Sequence, residues 1–380
     1  MGKRQWPLAK AIIGGMLLFG ALPPALYFGW GQVHAAASGS TALRSVDEMT
    51  TKLTSAMANR RETITFSYQG KTSKLKPLVQ KAIDQAMGSD PYLYYIVDSY
   101  AFSYRGSSGY ANVTVSVVYR ESLEQTAYVN AQVKAALAKI VTPQMTSHQK
   151  VKVIHDWVVQ RLRYDNSYTR YTAYAALKGG SAVCQGYSLL TYKLLQGSGI
   201  PVRIVEGTAK QEGGVRQSHA WNLVQLDGKW YHLDTTWDDP VGGGAQISTA
   251  YYLRTDAQMR KDHSWTKSYP SAATPYADTL AALVAKGGPN TAIYKTLQQE
   301  LDYDLYEEAQ VITNSDALKT LAKQALASGE DSLLFRYRGT AAELKQDLLK
   351  LYDLGLEDLS YSSSAFENTG DLRVYVEWEL

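Results

Sequence analysis

Lys178-Gly179-Gly180-Ser181-Ala182-Val183-Cys184-Gln185-Gly186-Tyr187-Ser188 carries a glycine-rich loop directly into a helix. Apolar residues continue at helical spacing, and Gly199 with Pro201 predicts where the helix ends. Cys184 therefore falls in the first helical turn, where the macrodipole and free backbone N–H groups favour a thiolate over a thiol. A lone cysteine is more often a buried apolar residue than a nucleophile, so a nucleophilic role requires a partner base.

A β-hairpin further along the chain offers that base together with a carboxylate. Residues 218–226 alternate like a strand, Asp227-Gly228 is the preferred two-residue turn, and residues 229–236 form the return strand. In this register Leu223 faces His232, and His219 and Asp234 share one sheet face as diagonal neighbours, roughly 7–8 Å apart between backbones. A slip of one residue would put the two side chains on opposite faces. The hairpin alone thus presents a His–Asp pair.

Other polar residues are poorer candidates for the chemistry. His232 shares the face of His219 but lies nearer the turn, so we expect a structural role. Asn222 points to the opposite face, which disfavours a Cys–His–Asn arrangement that uses it. His148 and His155 lie on a helix predicted over residues 143–163, and we expect them at the surface or in a supporting role.

Composition removes several classes of function. The 380-residue chain has one cysteine, which excludes a disulfide framework and a thiolate zinc cluster within it. Its formal charge of +3 is too small to indicate nucleic-acid binding. The acidic residues Asp234, Asp238 and Asp239 lack the glycine-centred spacing and terminal glutamate of an EF-hand. We therefore expect no metal, no other cofactor and no nucleic-acid partner.

Several motifs follow one another in a characteristic order. They are Gly186-Tyr187 after the cysteine, Gly199-Ile200-Pro201-Val202-Arg203 after its helix, His219-Ala220-Trp221, and Trp230-Tyr231-His232-Leu233-Asp234-Thr235-Thr236-Trp237. A later stretch holds Tyr251-Tyr252-Leu253-Arg254-Thr255-Asp256 and His263-Ser264-Trp265. With these motifs residues 143–265 resemble the transglutaminase-like superfamily, and among its members bacterial secreted transglutaminase/protease-like proteins.

The resemblance implies an α+β fold with a papain/transglutaminase-like core, in which the helix that starts at the cysteine packs on an antiparallel sheet. It also implies a catalytic triad of Cys184, His219 and Asp234. His219 would take the thiol proton, Asp234 would hold the imidazole, and the thiolate would attack an amide carbonyl of a protein or peptide to form a thioester. Water would complete proteolysis or deamidation, and an amine would complete cross-linking.

The oxyanion of such a reaction needs two donors. The backbone N–H of Cys184 would be one of them. Animal transglutaminases use an indole upstream of the cysteine as the second donor, and Trp157 stands in the wrong context for it. The sequence leaves Tyr164, Tyr171 and Gln185 as candidates.

The first 35 residues are typical of a signal peptide. Basic residues are followed by an apolar run from Ala11 to about Phe28, and Val33-His34-Ala35-Ala36-Ala37 supplies the small residues of a cleavage site. The alternative is an uncleaved membrane anchor, which Pro23-Pro24 disfavours. We expect a secreted or cell-surface protein that meets a membrane only if this segment is retained.

Weaker patterns predict the remaining organisation. Helices are expected over 43–59, 72–87 and 121–141, and strands over 63–68, 94–104 and 113–119. Phe66-Ser67-Tyr68-Gln69-Gly70 aligns with Phe335-Arg336-Tyr337-Arg338-Gly339, and both surroundings read helix, strand, helix, strand, strand. The chain is thus divided into a signal peptide (1–35), an N-terminal α/β module (36–141), the transglutaminase-like catalytic core (142–270), a linker (271–290) and a C-terminal α/β module (291–380). The two modules are a duplication or a chance likeness of common patterns.

Two classes of function remain open. One is a secreted or surface thiol enzyme that acts on protein or peptide amide bonds, with substrates that include cell-wall-associated proteins. The other is a catalytically silent interaction protein that has kept the fold and binds cell-wall or protein partners. The complete set of Cys184, His219 and Asp234 favours the enzyme, because a silent scaffold needs no nucleophile, base and orienting carboxylate together.

Overall fold

The computed structural model describes residues 42–210, 214–239, 247–366 and 369–379. The predicted signal segment, residues 1–35, lies outside them. None of the helices in the described ranges combines the length and apolar character needed to cross a membrane. By their internal contacts the described residues form two compact units, one up to Tyr276 and one from Ala277 onwards, and each unit is described by itself.

The first part of the first unit is a three-stranded antiparallel sheet with helices. Its elements are α1 (Val46–Ala58), β1 (Thr63–Gln69), a 3₁₀ turn (Thr72–Lys74), α2 (Leu75–Gly88), α3 (Pro91–Ile96), β2 (Val97–Ser107), β3 (Tyr110–Tyr119) and α4 (Leu123–Ile140). The sheet order is β1-β3-β2, and both pairings are antiparallel. The predicted strand over 94–104 is wrong at its start: Asp90 accepts the N–H of Tyr92 and Pro91 occupies the first helical position, so residues up to Ile96 form α3.

The second part of this unit carries the cysteine. Its elements are α5 (Ser147–Arg161), β4 (Arg163–Tyr164), α6 (Ala173–Gly179), β5 (Ser181–Ala182), α7 (Cys184–Gly197), β6 (Val202–Ala209), β7 (Gln217–Leu226), β8 (Lys229–Leu233), α8 (Asp256–Met259) and β9 (His263–Ser264). The four-stranded sheet has the order β8-β7-β6-β9, and α7 packs against β7 and β6. The predicted α+β class, with a helix that starts at the cysteine and packs on an antiparallel sheet, is confirmed.

The predicted hairpin register is also confirmed. Leu223 pairs with His232 and Leu226 with Lys229. Asp227 and Gly228 have φ angles of 49° and 78°, the left-handed values that the tight two-residue turn requires. The ladder ends at Leu233, so Asp234 lies one residue past β8.

The second unit holds another three-stranded sheet. Its elements are α9 (Tyr276–Lys286, which begins at the last residue of the first unit), α10 (Thr291–Glu300), 3₁₀ turns (Tyr303–Tyr306 and Glu308–Gln310), α11 (Ser315–Ala327), β10 (Ser332–Tyr337), α12 (Ala341–Leu349), a 3₁₀ turn (Lys350–Leu354), β11 (Glu357–Ala365) and β12 (Leu372–Glu379). The sheet order is β10-β12-β11, again antiparallel throughout.

The two small sheets share one topology. In each sheet the third strand along the chain lies in the middle and pairs with the first and the second, so the spatial order is first-third-second. A parallel bridge begins just before the helix that leads into the first strand in both, Leu43 with Tyr68 before α1 and Ile312 with Tyr337 before α11, and these pairs are equivalent in the sequence alignment. These shared details support a duplication, whereas the residue bounds of the modules stay predictions.

The segment predicted as a linker, residues 271–290, contains α9. Its early residues are buried: Ala272 is fully buried and accepts the N–H of Asp256, and Tyr276 is 2% exposed. These contacts lie within the first unit, so the end of this segment nearest the core packs on the core.

Candidate active site

Cys184 is the first residue of α7 and is half-buried. The short parallel pair β4–β5 leads directly into it, with Tyr164 opposite Ala182. Gly186 lies two residues after Cys184, and a Cβ there would come within 2.6 Å of the Ala182 methyl group. The glycine therefore allows the first turn of the helix to lie close against the strand that precedes it.

His219 and Asp234 are hydrogen-bonded to each other. His219 lies on β7, is 9% exposed, and its Nε2 is 2.5 Å from Asp234 Oδ2. The other carboxylate oxygen, Oδ1, accepts the backbone N–H of Thr236 at 3.0 Å and of Trp237 at 3.3 Å. Asp234 is thus held by the turn that follows β8 as well as by the histidine.

These contacts determine the charge of the pair. Burial alone lowers the pKa of His219, but the charge and hydrogen bond of Asp234, followed by those of Cys184, raise it to about 10. Burial alone raises the pKa of Asp234, but His219 and then His263 lower it well below its ordinary value. At neutral pH the buried pair is therefore an imidazolium and a carboxylate.

The structure brings all three predicted site residues together. The Cys184 thiol lies close enough to His219 to help raise the pKa of the imidazole. Because Asp234 occupies Nε2, the nitrogen left for the thiol is Nδ1. The order thiol, imidazole, carboxylate is the arrangement that a general base needs to take a proton from a nucleophile.

Sequence reasoning missed His263 as part of this site. Its Nε2 lies 3.1 Å from Asp234 Oδ2, the same oxygen that His219 contacts. His263 is on β9, whose pairing with β6 (Ala209 opposite His263) puts it on the same sheet face as His219. A two-residue strand after a long connection has no periodicity that could have placed it there.

Aromatic rings enclose the two histidines. The Trp237 ring centroid is 4.5 Å from that of His263 and 5.8 Å from that of His219. Trp221 lies 5.0 Å from His263, and Tyr251 packs on Trp237 at 5.0 Å. These rings keep water from the imidazoles and so strengthen the electrostatic contacts among them.

The other histidines bind carboxylates outside this group. His232 accepts the indole N–H of Trp221 at 2.9 Å and contacts Asp256, as a structural residue would. For His148 and His155 the expectation was a surface position or a supporting role, and the surface position is wrong, because they are 2% and 0% exposed. His155 contacts Asp238 at 3.0 Å, and His148 contacts Asp227 in the hairpin turn. Asn222 points to the α7 side, where its amide donates to the Ser188 carbonyl.

The three candidates for the second oxyanion donor differ in what they contact. The Gln185 amide donates to the Tyr95 carbonyl at 2.8 Å, and the Tyr171 ring packs under the guanidinium of Arg120 at 4.8 Å. Burial raises the pKa of the Tyr164 phenol, and the nearby Cys184 sulfur raises it further. Tyr164 is therefore the candidate whose side chain lies within electrostatic reach of the thiol.

One group in the described residues has donor atoms close enough for a metal ion, namely His219, Asp234 and His263, whose ligand atoms lie within 4.8 Å of one another. The two Nε2 atoms already contact a single carboxylate oxygen at hydrogen-bond distances. A cation would have to displace both of these protons, so the donor set fits a hydrogen-bonded chain better than a metal centre.

Comparison with known proteins bears on the same segment. Residues 134–235, which include all three predicted site residues, match the model of the transglutaminase-like superfamily core. This segment is similar to the transglutaminase-like core. The resemblance and the fold class expected from the sequence are thereby confirmed, whereas the roles of the individual residues are not tested by the match.

Relatives of the transglutaminase-like core include human kyphoscoliosis peptidase, 27% identical over 105 residues, or 24% of this chain. The match spans only 16% of that relative's own length. Among solved structures, a TGase is 18% identical with a TM-score of 0.28 and covers 41% of this chain and 48% of its own. A candidate cysteine protease from Cytophaga hutchinsonii is 16% identical with a TM-score of 0.25, covering 39% and 65%. At these TM-scores we take nothing about mechanism from either structure.

Proposed function

We propose that the protein is a cysteine-nucleophile enzyme that acts on amide bonds of proteins or peptides through Cys184, His219 and Asp234. One observation carries the proposal: the half-buried thiol at the start of α7 contacts an imidazole that a buried carboxylate holds in its charged form. An imidazolium next to a sulfur favours the thiolate, which is the reactive form. A protein that only used the fold for binding would have no need of this charged pair.

The proposed reaction begins with attack of the Cys184 sulfur on the carbonyl carbon of an amide. A C–S bond forms, and the tetrahedral intermediate carries its negative charge on the former carbonyl oxygen. The C–N bond then breaks, and the imidazolium of His219 gives its proton to the leaving nitrogen. The products of this half-reaction are a free amine, or ammonia from a glutamine side chain, and a thioester on Cys184.

The second half-reaction regenerates the thiolate. Water or an amine attacks the thioester carbonyl and gives a proton to the now neutral His219, and the sulfur leaves as thiolate. Water yields an acid, as in proteolysis or deamidation, and an amine yields a new amide, as in cross-linking. Throughout, Asp234 keeps the Nε2 proton of His219 in place, so the nitrogen that exchanges protons is Nδ1.

Tyr164 is proposed as the second oxyanion donor, next to the Cys184 N–H. Its phenol lies within electrostatic reach of the sulfur, whereas the Gln185 amide is bound to a backbone carbonyl. Tyr164→Phe should lower kcat by about 10²–10³-fold, the usual effect of losing one such donor. It should leave the alkylation rate of Cys184 close to native, since alkylation forms no oxyanion. A native kcat in Tyr164→Phe would exclude the residue as donor.

The site of action proposed for this enzyme is outside the cell or at its surface. The signal-like segment, residues 1–35, supports this. In an oxidising compartment a spare thiol is a hazard unless it is used. Surface or cell-wall-associated proteins are then the accessible substrates.

Iodoacetamide alkylation of the purified protein over a pH range tests the proposal. Fast labelling near pH 6 that collapses in His219→Ala supports a thiolate held by the imidazolium. Labelling of the native chain with the profile of an ordinary thiol, with a pKa near 8.5, refutes the enzyme. Incubation with a labelled amine and a peptide digest then separates the outcomes, because cross-linking incorporates the amine and hydrolysis does not.

A further inference from the structure

We propose that His263 is a positioning residue of this site: it fixes Asp234 through its Nε2–H and is itself fixed by Asp262 and Tyr251. The inference rests on the proposed function and extends the triad by a second histidine. His263 contacts neither the thiol nor a substrate atom in this proposal. It acts on the reaction through Asp234 and His219.

The contacts form an unbroken chain away from the thiol. His263 Nε2 is 3.1 Å from Asp234 Oδ2, and His263 Nδ1 is 2.5 Å from Asp262 Oδ1. The Tyr251 hydroxyl donates to the other oxygen of Asp262 at 2.6 Å. Asp234 therefore accepts four N–H groups, two on each oxygen, which satisfies every lone pair of the carboxylate.

The two ring nitrogens of His263 both face carboxylates. A carboxylate only accepts hydrogen bonds, so each ring nitrogen of His263 faces a group to which a ring N–H can donate. Asp262 binds a ring nitrogen of His263, as Asp234 binds a ring nitrogen of His219. Imidazole and carboxylate side chains therefore alternate from His219 to Asp262.

Packing makes this chain rigid. His263 is 1% exposed, and the rings of Trp221, Trp237 and Tyr251 surround it. Asp234 is also 1% exposed, so neither side chain can exchange its partner for water. Three further ionisable groups lie near these residues. His232 interacts electrostatically with His263 and Arg260, and Asp238 interacts with Tyr251.

Loss of the His263 N–H would leave one lone pair of a buried carboxylate without a donor. Asp234 would be less stable as an anion and held less firmly against His219, because one of its four N–H donors is lost. The imidazolium of His219 would then be held less well, and with it the thiolate. Cys184 should then be less reactive at acidic pH, and it should stay reactive at alkaline pH, where a thiol ionises without a neighbouring imidazolium.

The test compares His263→Phe, which removes both nitrogens and keeps a ring, with His263→Gln, which keeps an N–H near the Nε2 position. The matched control is His232→Phe, since His232 is equally buried in the same aromatic cluster and contacts Trp221 and Asp256. Alkylation rates of Cys184 are measured at pH 6 and above pH 9, and thermal melts report folding.

We expect His263→Phe to slow alkylation at pH 6 by about tenfold or more, the usual cost of removing a supporting hydrogen bond of a reactive group. Above pH 9 its rate should return to near native. His263→Gln should stay within about threefold of native and His232→Phe within about twofold, because both leave Asp234 with its donors. A native rate for His263→Phe at pH 6, or an equal loss in His232→Phe, overturns the proposal.

A further variant decides the matter if His263→Phe does not fold. Asp262→Asn keeps the size of the side chain at a partly exposed position, but it replaces the carboxylate that faces His263 Nδ1 with a neutral amide. It should slow alkylation at pH 6 by several-fold, and a native rate counts against the proposal. If the native protein is already alkylated slowly at pH 6, the proposed function itself is refuted. If the native protein and His263→Phe are both alkylated fast at pH 6 and His219→Ala slowly, only the role of His263 is refuted.

Discussion

Replacing Asp234 with asparagine changes the protons of the site while keeping the volume of the side chain. The native carboxylate accepts His219 and His263 on Oδ2 and the backbone N–H groups of Thr236 and Trp237 on Oδ1. Asparagine has a single oxygen. If that oxygen faces the backbone, its NH₂ group faces the imidazoles, and His219 must accept at Nε2 and carry its proton on Nδ1. The nitrogen on the thiol side can then no longer act as a base.

The size of the effect follows from the balance at His219. Burial lowers its pKa and Asp234 raises it, with a net value of about 10. Without the carboxylate the effect of burial dominates, and the pKa should fall below its ordinary value of about 6.5. At pH 8 the imidazolium population would drop from nearly complete to about 3% or less. The expected loss in kcat is about 10³–10⁴-fold, the scale seen when a catalytic histidine is held in the wrong tautomer.

Alkylation of Cys184 between pH 5 and 9, followed by intact mass, measures this effect without a known substrate. Every adduct reports Cys184, because the chain has one cysteine. At pH 6 Asp234→Asn should label about a hundredfold more slowly than the native protein, since an ordinary thiol is less than about 1% ionised there. Above pH 9 the two rates should converge.

A second buried His–Asp pair provides the control. Asp238→Asn makes the same substitution beside His155, at a residue that is also fully buried. It should alkylate like the native protein at pH 6. If Asp234→Asn also labels at the native rate at pH 6, Asp234 does not set the protonation of His219, and the reasoning is wrong.

Three further predictions concern stability. In Cys184→Ala, which removes titration of the thiol, thermal stability should fall as the pH rises above about 6.5, by at most about 1.4 kcal/mol per pH unit, because folded His219 beside Asp234 keeps a proton that the unfolded chain has lost. The fall should end below pH 10, because Cys184 no longer contributes to the raised pKa of His219; a flat profile would contradict the raised pKa. In a urea titration, Gly186→Ala should lower the free energy of unfolding by about 1–3 kcal/mol, because its Cβ would lie 2.6 Å from the Ala182 methyl group. Gly88→Ala, also in a helix but with open space around it, should leave the free energy of unfolding unchanged or raise it. Leu318→Ala, at a fully buried position of α11, should cost about 2–5 kcal/mol in the transition of the second unit; a loss below about 0.5 kcal/mol would mean that this core is loosely packed.

Local chemistry explains what the sequence could predict. The Asp227-Gly228 turn fixes the register of β7 and β8, so the shared face of His219 and Asp234 followed from a two-residue signal. The helix start at Cys184 followed from the loop before it and from Gly199 after it. Both inferences concern neighbours in the chain or across a tight turn, where few alternatives exist.

Long-range contacts explain what the sequence could not predict. His263 reaches Asp234 because β9 joins the far edge of the sheet beyond β6, and no local pattern specifies that pairing. His148 and His155 were expected at the surface or in a supporting role, and each is buried against a carboxylate from another element, a contact that no local pattern specifies. The start of β2 was misjudged because aromatic residues suit both states, and the Asp90-Pro91 signal decided for helix.

Tyr276 has a practical consequence for anyone who wishes to shorten the chain. Its ring stacks on His148 at 5.7 Å and its hydroxyl lies 2.8 Å from His148 Nδ1, while its edge meets the ring of Tyr231 at 5.4 Å. A chain cut at residue 270, where prolines and glycines begin to mark a linker, would remove this ring and expose two buried ones. An excised core should therefore extend through Tyr276, and a protease that cuts ahead of Tyr276 should release a fragment that no longer holds α5 firmly in place.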